Sequence, residues 1–289
     1  MKKIFYLCTL VLLFSCGNKK EVTVKPKEKQ LNISILLDLS DRISTTRCPA
    51  TPEHYQRDLE IVKTVTEYFK SNMNKLTAWK AKGKIRVFFS PPPSSSTINE
   101  IAGSLKIDCS KLENKMRKQV YDTITTLFGN SLTQIYNQTN ATSAWEGSDI
   151  WRFFKNDVRD YCEDQDTTYR NILIILTDGY LYHQQSDYNK DNRYSYLLTK
   201  NMKQFRNQNW KQQIDESDFG LMTERNDLQN LEVLVLELCA ENSNNKIDED
   251  IMKYVLGKWF SEMKVAKYQV YSSDLPSNTK VRVENFLNN

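Results

Sequence analysis

Two long apolar runs, each followed directly by acidic residues, constrain the fold of this chain most. The first run covers residues 33–37 and precedes Asp38, and the second covers 171–176 and precedes Thr177 and Asp178. Near-continuous Ile and Leu runs of this length are typical of strands buried on both faces, as in parallel sheets. Because ligands of such sheets bind beyond the carboxyl ends of the strands, we expect the two acidic segments to lie close together.

Alternating strand and helix patterns continue along the chain. Residues 52–74 have apolar residues at helical spacing, with Thr51 as the predicted N-cap. Strand patterns follow at 84–89, 231–238 and 268–271. The sequence therefore predicts an α/β fold with a doubly wound, mostly parallel central sheet flanked by helices, of the Rossmann-like kind. Further helical segments are predicted at about 97–140, 149–162, 248–263 and 277–287.

The first thirty residues have the pattern of a bacterial export signal. Lys2 and Lys3 precede an apolar run that is too short to span a bilayer, so a removed signal fits better than a transmembrane helix. Residues 13–17, Leu-Phe-Ser-Cys-Gly, resemble the lipobox of bacterial lipoproteins, in which the Cys is acylated. The resemblance implies a signal peptide over 1–15 and lipidation of Cys16. The alternative is a plain signal peptide that a Cys happens to follow.

A tether and one large domain are predicted after the signal. Residues 16–30 are polar and rich in Lys, as in a flexible linker. Residues 31–289 suit one α/β domain with insertions at about 90–147 and 179–229. We expect the protein to be lipid-anchored at the bacterial cell envelope, in the outer membrane, through a lipid chain that inserts into the bilayer.

Charge and glycine content exclude two function classes. The net charge is +4, and removal of the two Lys residues of the signal lowers it to +2. This near balance argues against a nucleic-acid binder, so no nucleic acid is expected as a partner. The chain has only 8 Gly and neither a Gly-x-Gly-x-x-Gly nor a Walker motif, which argues against a phosphate-binding loop.

Four Cys residues remain after the signal and the lipidated residue, in a compartment where disulfides persist. Four Cys allow three connectivities, and the sequence does not choose among them. Their spacings match no zinc-site pattern. A bridge between Cys48 and Cys109 across two loops is one candidate. The full set is Cys48, Cys109, Cys162 and Cys239.

At three places, residues 31–287 resemble a von Willebrand factor A (vWA) domain. Residues 38–40, Asp-Leu-Ser, match the start of the family's Asp-x-Ser-x-Ser motif, and residues 177–179 match its Thr-Asp-Gly motif. Ser148 stands where the family has a loop Thr or Ser. In the family these segments hold a cation at a metal-ion-dependent adhesion site, and oxygen ligands of this kind suit Mg²⁺, Mn²⁺ or Ca²⁺. The metal ligands that the resemblance implies are Asp38, Ser40, Ser148 and Asp178.

Arg42 departs from the family pattern, which has Ser at the third position of the first motif. A guanidinium cannot bind a cation and would repel one. One interpretation is that Arg42 points away and that Asp41 or Ser44 helps to complete the metal shell, with Thr177 nearby. The other is that Arg42 forms an ion pair with Asp38 or Asp178 that replaces the metal.

The segment after the Thr-Asp-Gly motif is rich in Tyr, Asn and Gln, the composition of many protein-contact surfaces. Tyr180, Tyr182 and His183 are therefore candidates for contacting a partner. The alternatives are a packed loop for the Tyr residues and a solvent-facing position for His183. An alternative role for Ser148 is the N-cap of the helix that follows it.

A binding protein is the function that the sequence favours, and it is not expected to be an enzyme. The vWA resemblance implies an unidentified envelope or extracellular protein as partner, bound through a Mg²⁺-dependent site. One alternative is a Mg²⁺-dependent phosphoryl-transfer hydrolase, although such enzymes of the haloacid dehalogenase kind have Asp where this chain has Ser40. Ser40 also lacks the Gly-x-Ser-x-Gly context of a hydrolase nucleophile. The third alternative is a metal-free scaffold.

Overall fold

The computed structural model describes residues 28–77, 79–142, 145–242 and 245–289. The predicted signal peptide and lipidation site lie outside these residues. No helix in the described ranges combines the length and hydropathy needed to cross a bilayer. The strands are β1 (Gln30–Leu37), β2 (Lys84–Phe89), β3 (Lys106–Asp108), β4 (Tyr169–Leu176), β5 (Asn189–Lys190), β6 (Arg193–Tyr194), β7 (Gly220–Leu221), β8 (Leu231–Leu238) and β9 (Lys267–Ser272). The helices are α1 (His54–Leu76), α2 (Ser96–Ser104), α3 (Asn114–Thr142), α4 (Ile150–Asn156), α5 (Val158–Cys162), α6 (Thr199–Met202), α7 (Trp210–Glu216), α8 (Ile247–Glu262) and α9 (Pro276–Asn288).

The central sheet orders its strands β3-β2-β1-β4-β8-β9. β2 and β3 are antiparallel, and the other neighbouring pairs are parallel. The predicted fold class, a doubly wound and mostly parallel α/β sheet, is confirmed. β1 pairs with β2 on one side and with β4 on the other, so the strand order reverses at β1. Open α/β sheets bind ligands at such a reversal point.

Apolar residues on the two faces of the sheet form two separate cores. In β1, Ile33 and Ile35 pack in the core shared with α1, α3 and α9, whereas Leu36 packs in the core shared with α4 and α8. This alternation follows from the period of two along a strand. Each fully buried Ile or Leu side chain contributes roughly 1.5–3 kcal/mol through the hydrophobic effect. Helices therefore cover both faces, which explains why the strands are apolar throughout.

Helix boundaries differ from the predicted ones in three places, one of which is the predicted helix 149–162, which is divided into α4 and α5. The predicted N-cap Thr51 is wrong, because α1 begins at His54 and is capped by Glu53 in a capping box with Gln56. The predicted helical segment 97–140 contains α2 and α3 separated by the short strand β3. β3 pairs antiparallel with β2 at the sheet edge, and three residues are too few to give a periodic sequence signal.

The segment predicted as the second insertion, 179–229, contains the small sheet β5-β6-β7 and the helices α6 and α7. Arg193 on β6 forms ion pairs with Asp218, at 2.5 Å, and with Glu262 at the end of α8, at 2.8 Å. These contacts join the segment to the body of the domain.

The suggested disulfide between Cys48 and Cys109 is wrong, since both are free thiols. The Cys109 amide donates to the Gly83 carbonyl at the start of β2, which is the amino edge of the sheet. Cys48 lines a cavity with Asp178, which follows β4 at the carboxyl edge. The two thiols therefore lie at opposite edges of the sheet. Cys162 and Cys239 are also free.

Candidate functional site

Asp38 and Thr177 meet directly at the carboxyl edge of the sheet. β1 and β4 pair in register through Leu37 and Leu176, so the residues that follow each strand are neighbours. The Thr177 hydroxyl donates to Asp38 Oδ2 at 2.7 Å, and the Ser40 amide donates to Asp38 Oδ1 at 2.8 Å. Asp38 is only 2% exposed. The carboxylate is thus fixed in one orientation by its own loop and by the adjacent strand.

Asp178 brings a second carboxylate to the same place. Its Oδ1 accepts from the Tyr180 amide at 3.0 Å, and its backbone carbonyl accepts from the Cys239 amide beyond β8 at 3.0 Å. Burial and, next in size, the charge of Asp38 raise the pKa of Asp178 to about 7. The charge of Asp38 therefore disfavours the ionisation of Asp178, a situation that a bound cation would relieve.

Arg42 points away from both carboxylates into the protein. Its Nη2 forms an ion pair with Asp58 of α1 at 2.6 Å, and both side chains are buried. Its Nε donates to the Asp38 backbone carbonyl at 3.0 Å, and Nη2 also donates to the Leu176 carbonyl at 3.1 Å. Burial alone would lower the pKa of Arg42, but the charges of Asp58 and Asp38 raise it above its usual value. The predicted replacement ion pair with Asp38 or Asp178 is therefore corrected to a pair with Asp58.

Ser40 and Asp41 lie on the loop after β1. Ser40 is partly exposed and precedes a short 3-10 turn over Asp41–Ile43. Asp41 forms an ion pair with Arg47 at 3.2 Å, and both side chains are about half exposed. Asp41 is thus engaged at the surface, at the rim of the carboxylate pair.

Ser148 is held above the edge of the sheet from two sides. Its amide donates to the Tyr182 carbonyl after β4 at 2.9 Å, and the next amide, of Asp149, donates to the Ser90 carbonyl after β2 at 2.9 Å. β2 and β4 flank β1, so this loop reaches across the end of β1. The suggested N-cap role is wrong for Ser148, because Asp149 caps α4 by accepting from the Arg152 amide.

The side chains at this edge fit a hard divalent cation. The hydroxyl oxygen of Ser148 is buried and has no hydrogen-bond partner among the described residues, which is costly unless a ligand or water satisfies it. In the described part of the chain no group of three or more His, Cys, Asp or Glu is placed to hold a metal. The side chains near this edge that could contribute oxygen ligands are two carboxylates and hydroxyls, the kind of ligand that Mg²⁺ prefers.

The three residues predicted to contact a partner, Tyr180, Tyr182 and His183, differ in their exposure and in their contacts. The Tyr180 hydroxyl accepts from the Glu241 amide at 3.0 Å, and Tyr182 is 37% exposed. His183 was expected to face solvent as an alternative to contacting a partner, but its side chain is only 15% exposed. Its Nδ1 lies 3.3 Å from Asp149 Oδ2, so it packs behind the Ser148 loop.

A cavity of about 720 Å³ opens beside the carboxylate pair. Its lining combines charged groups with apolar surface from the loops after β1, β4 and β8. Among the lining residues are Asp178, Asp41, Cys48, His54, Tyr180 and Cys239.

The sequence interpretation missed Asp58 and Tyr136, which complete the environment of Arg42. The Tyr136 hydroxyl donates to Asp58 Oδ2 at 2.8 Å. A signal was present, because Asp58 stands three residues after Tyr55 and four before Val62, on the apolar face of α1. A charged residue at a core position of a helix indicates a buried partner.

A scan against protein-family models and a search of curated proteins match nothing in this chain. Similar solved structures include an aerotolerance-related membrane protein from Bacteroides fragilis NCTC 9343, with a TM-score of 0.38 and 10% identity, covering 90% of this chain and 98% of that one. They also include the pilus adhesin SpaC from Lactobacillus rhamnosus GG in its open conformation, with a TM-score of 0.39 and 10% identity, covering 90% of this chain and 30% of the adhesin. Similarity this weak concerns the course of the chain alone, so the function is inferred from the residues of the site.

Proposed function

We propose that this chain is a lipid-anchored protein of the bacterial cell envelope that binds another protein through a vWA-like domain. In this proposal the domain holds Mg²⁺ at the carboxyl edge of β1 and β4. Asp38 and Asp178 supply the carboxylates, and Ser40 and Ser148 supply the hydroxyls. The convergence of two carboxylates at the reversal point of the sheet is the observation that carries the proposal.

Two further features support a cation at this edge. The Arg42 guanidinium forms its ion pair with Asp58, so it makes no direct salt bridge to the Asp38 or Asp178 carboxylate. The Ser148 hydroxyl is buried without a partner among the described residues, although its backbone is fixed on both sides. The first feature leaves the carboxylate charges without a salt bridge to Arg42, and the second leaves a buried hydroxyl unsatisfied. A divalent ion with oxygen ligands would relieve both.

The protein's own residues orient the ligands. Thr177 and the Ser40 amide hold the two oxygens of Asp38, and the Tyr180 amide holds Oδ1 of Asp178. When bound, the cation would offer an open coordination position to a carboxylate of the partner. The adjacent cavity and the exposed ring of Tyr182 provide contact area around that position. This arrangement would bind and orient an acidic side chain.

Thermal unfolding with Mg²⁺ or Mn²⁺ tests the metal site. We expect the wild-type melting temperature to rise, with a stabilisation of about 2.7 kcal/mol when the ion concentration is 100 times Kd. Asp178→Asn should melt higher than wild type without metal, because it removes a repulsive carboxylate, and should lose the response to the ion. Isothermal titration calorimetry should detect binding of the ion to the wild-type protein and a loss of that binding in Asp178→Asn.

Asp187→Asn is the matched control, since this exposed carboxylate lies on the same segment outside the site. It should keep the wild-type response to Mg²⁺. A wild-type protein whose stability is insensitive to both ions would contradict the metal site and favour the metal-free scaffold, with Arg42 and Asp58 as its buried ion pair.

A phosphate-ester assay with Mg²⁺ separates binding from phosphoryl transfer. The proposal expects no turnover of p-nitrophenyl phosphate by the wild-type protein. Turnover that Asp38→Asn abolishes would replace the binding function with a hydrolase function.

A further inference from the structure

A second cavity lies between α1, α9 and the end of β8. Its volume is about 170 Å³. α1 contributes Arg57 and Thr64, β8 contributes Glu237, and the first turn of α9 contributes Ser277 and Thr279. None of these residues belongs to the candidate metal site. The cavity therefore offers a separate polar environment between two helices and the sheet.

A β-bulge directs Glu237 towards this cavity. Leu234 and Leu236 of β8 pack in the core shared with α1 and α9, and Val235 packs in the opposite core. Strict alternation would place residue 237 with Val235, but Leu238 packs there instead. The register between β8 and β9 shifts between Val235 and Leu238, and Glu237 has a positive φ of 74°. Bulges and positive φ at a non-glycine residue are features that concentrate at functional sites.

Three buried polar atoms of the lining have no hydrogen-bond partner among the described residues. They are Arg57 Nε, Glu237 Oε1 and Thr279 Oγ1. The other carboxylate oxygen of Glu237 accepts from the Ser273 hydroxyl at 2.8 Å and lies 3.7 Å from Arg57 Nη1. Burial, as the largest cause, raises the pKa of Glu237 to about 7. A free donor of Arg57, a free acceptor of Glu237 and a hydroxyl of Thr279 that can donate or accept thus belong to residues that line the cavity.

The charge of the lining is balanced. Arg57 and Lys280 are cationic, and Glu60 and Glu237 are anionic. α9 has Leu275 as its N-cap, which supplies no side-chain hydrogen bond, so the partial positive charge of the helix terminus is directed to this region. Glu60 and Lys280 are about half exposed and pair with Lys63 and Glu284, respectively. Arg57 and Glu237 are therefore the largely buried charges of the lining. One cationic and one anionic group complement a ligand with both charges better than a simple anion or a simple cation.

We propose that this cavity binds a small zwitterion of the α-amino acid class. The ligand carboxylate would accept from Arg57 Nε and face the first turn of α9. The ligand ammonium would donate to Glu237 Oε1 and Thr279 Oγ1. These contacts would satisfy all three unpartnered atoms and would keep the cavity electrically neutral.

Calorimetric titration of the full-length protein with each of the common free L-amino acids tests the proposal. At least one amino acid should bind with one-to-one stoichiometry. Glu237→Gln and Thr279→Val should each weaken that binding about tenfold or more, because each removes a hydrogen bond to a charged group. Thr279→Val has nearly the same shape as the wild-type side chain and replaces an unpaired hydroxyl, so the variant is expected to fold.

Two exposed residues give matched controls. Glu67→Gln on α1 and Thr123→Val on α3 make the same chemical changes outside the cavity and should leave the affinity unchanged. Acetate and methylamine carry one charge each and should bind at least tenfold more weakly than the amino acid. Heats from none of the amino acids, equal binding of acetate or methylamine, or an affinity that Glu237→Gln and Thr279→Val do not change would each overturn the proposal.

The metal-site proposal and this one are separable. Asp178→Asn should keep the affinity for the amino acid, and Glu237→Gln should keep the melting-temperature response to Mg²⁺. Amino acid binding that requires Asp178 would assign the ligand to the carboxylate edge and overturn the second site.

Discussion

Arg42 and Asp58 form a buried ion pair between the loop after β1 and α1. Their side chains are 1% and 0% exposed, and Tyr136 adds a hydrogen bond to the same carboxylate oxygen. A buried charge that loses its partner is strongly destabilising, whereas an exposed pair contributes little. Arg42, which the sequence interpretation weighed against a metal site, is therefore a structural connection between the loop after β1 and α1.

Arg42→Ala should lower the free energy of unfolding by about 3–5 kcal/mol, since it leaves Asp58 buried without its counter-charge. Urea denaturation followed by circular dichroism measures this change. Arg47→Ala is the matched control, because its ion pair with Asp41 is about half exposed, and it should cost less than about 1 kcal/mol. Similar losses for the two variants would contradict a special role for the buried pair.

At the scale of elements, the turn after β4 is set by the glycine of the Thr-Asp-Gly motif. Gly179 has a φ of +95°, which L residues with a side chain rarely adopt. A Cβ there would lie 2.8 Å from Met252 Sδ on α8 and 3.0 Å from Leu238 Cγ at the end of β8. The turn can therefore place Asp178 at the sheet edge only without a side chain at the next position.

Gly179→Ala should destabilise the protein by about 2–4 kcal/mol, combining the left-handed backbone with overpacking against α8. Gly129→Ala on α3 is the control, because a Cβ there meets nothing within 4 Å. That control should stabilise the protein by about 0.5–1 kcal/mol, since Ala is the better helix former. Thermal unfolding of both variants measures the difference, and a tolerated Gly179→Ala would contradict the packing argument.

At the scale of the whole molecule, the thiols divide into two classes by position. Cys109 and Cys162 are completely buried, and burial raises the pKa of Cys109 to about 11 and that of Cys162 to about 12. Cys48 and Cys239 are partly exposed and line the cavity beside Asp178. Burial raises the pKa of Cys48 and Cys239 as well, so accessibility is the property that separates the two pairs.

Iodoacetamide at pH 8 should label Cys48 and Cys239 in the folded protein and leave Cys109 and Cys162 unmodified. All four should be labelled in guanidinium chloride, because unfolding exposes the buried thiols and returns their pKa values to the usual range. Peptide mass spectrometry identifies the labelled Cys residues in the folded and in the unfolded protein. A pair that stays unlabelled after unfolding without reductant would show a disulfide and contradict the free-thiol arrangement.

The amino-acid sequence by itself determined the fold class and the meeting of two acidic segments. A continuous apolar run indicates a strand that is buried on both faces. The carboxyl ends of parallel strands lie at the same edge of the sheet, so acidic residues that follow two such strands meet there. Both conclusions follow from local sequence pattern. Asp38 and Thr177 accordingly form a direct hydrogen bond. The structure adds nothing to the predicted signal peptide and Cys16, which lie outside the described residues.

Only the tertiary structure decided which partners the polar side chains have. Arg42 pairs with Asp58 because α1 packs against β1, and Glu237 faces α1 and α9 because a bulge in β8 reverses its direction. Ser148 lies above β1 because its loop bonds to the segments after both flanking strands. Sequence periodicity reports which face of an element is buried, but the partner of a buried polar group depends on which elements pack together.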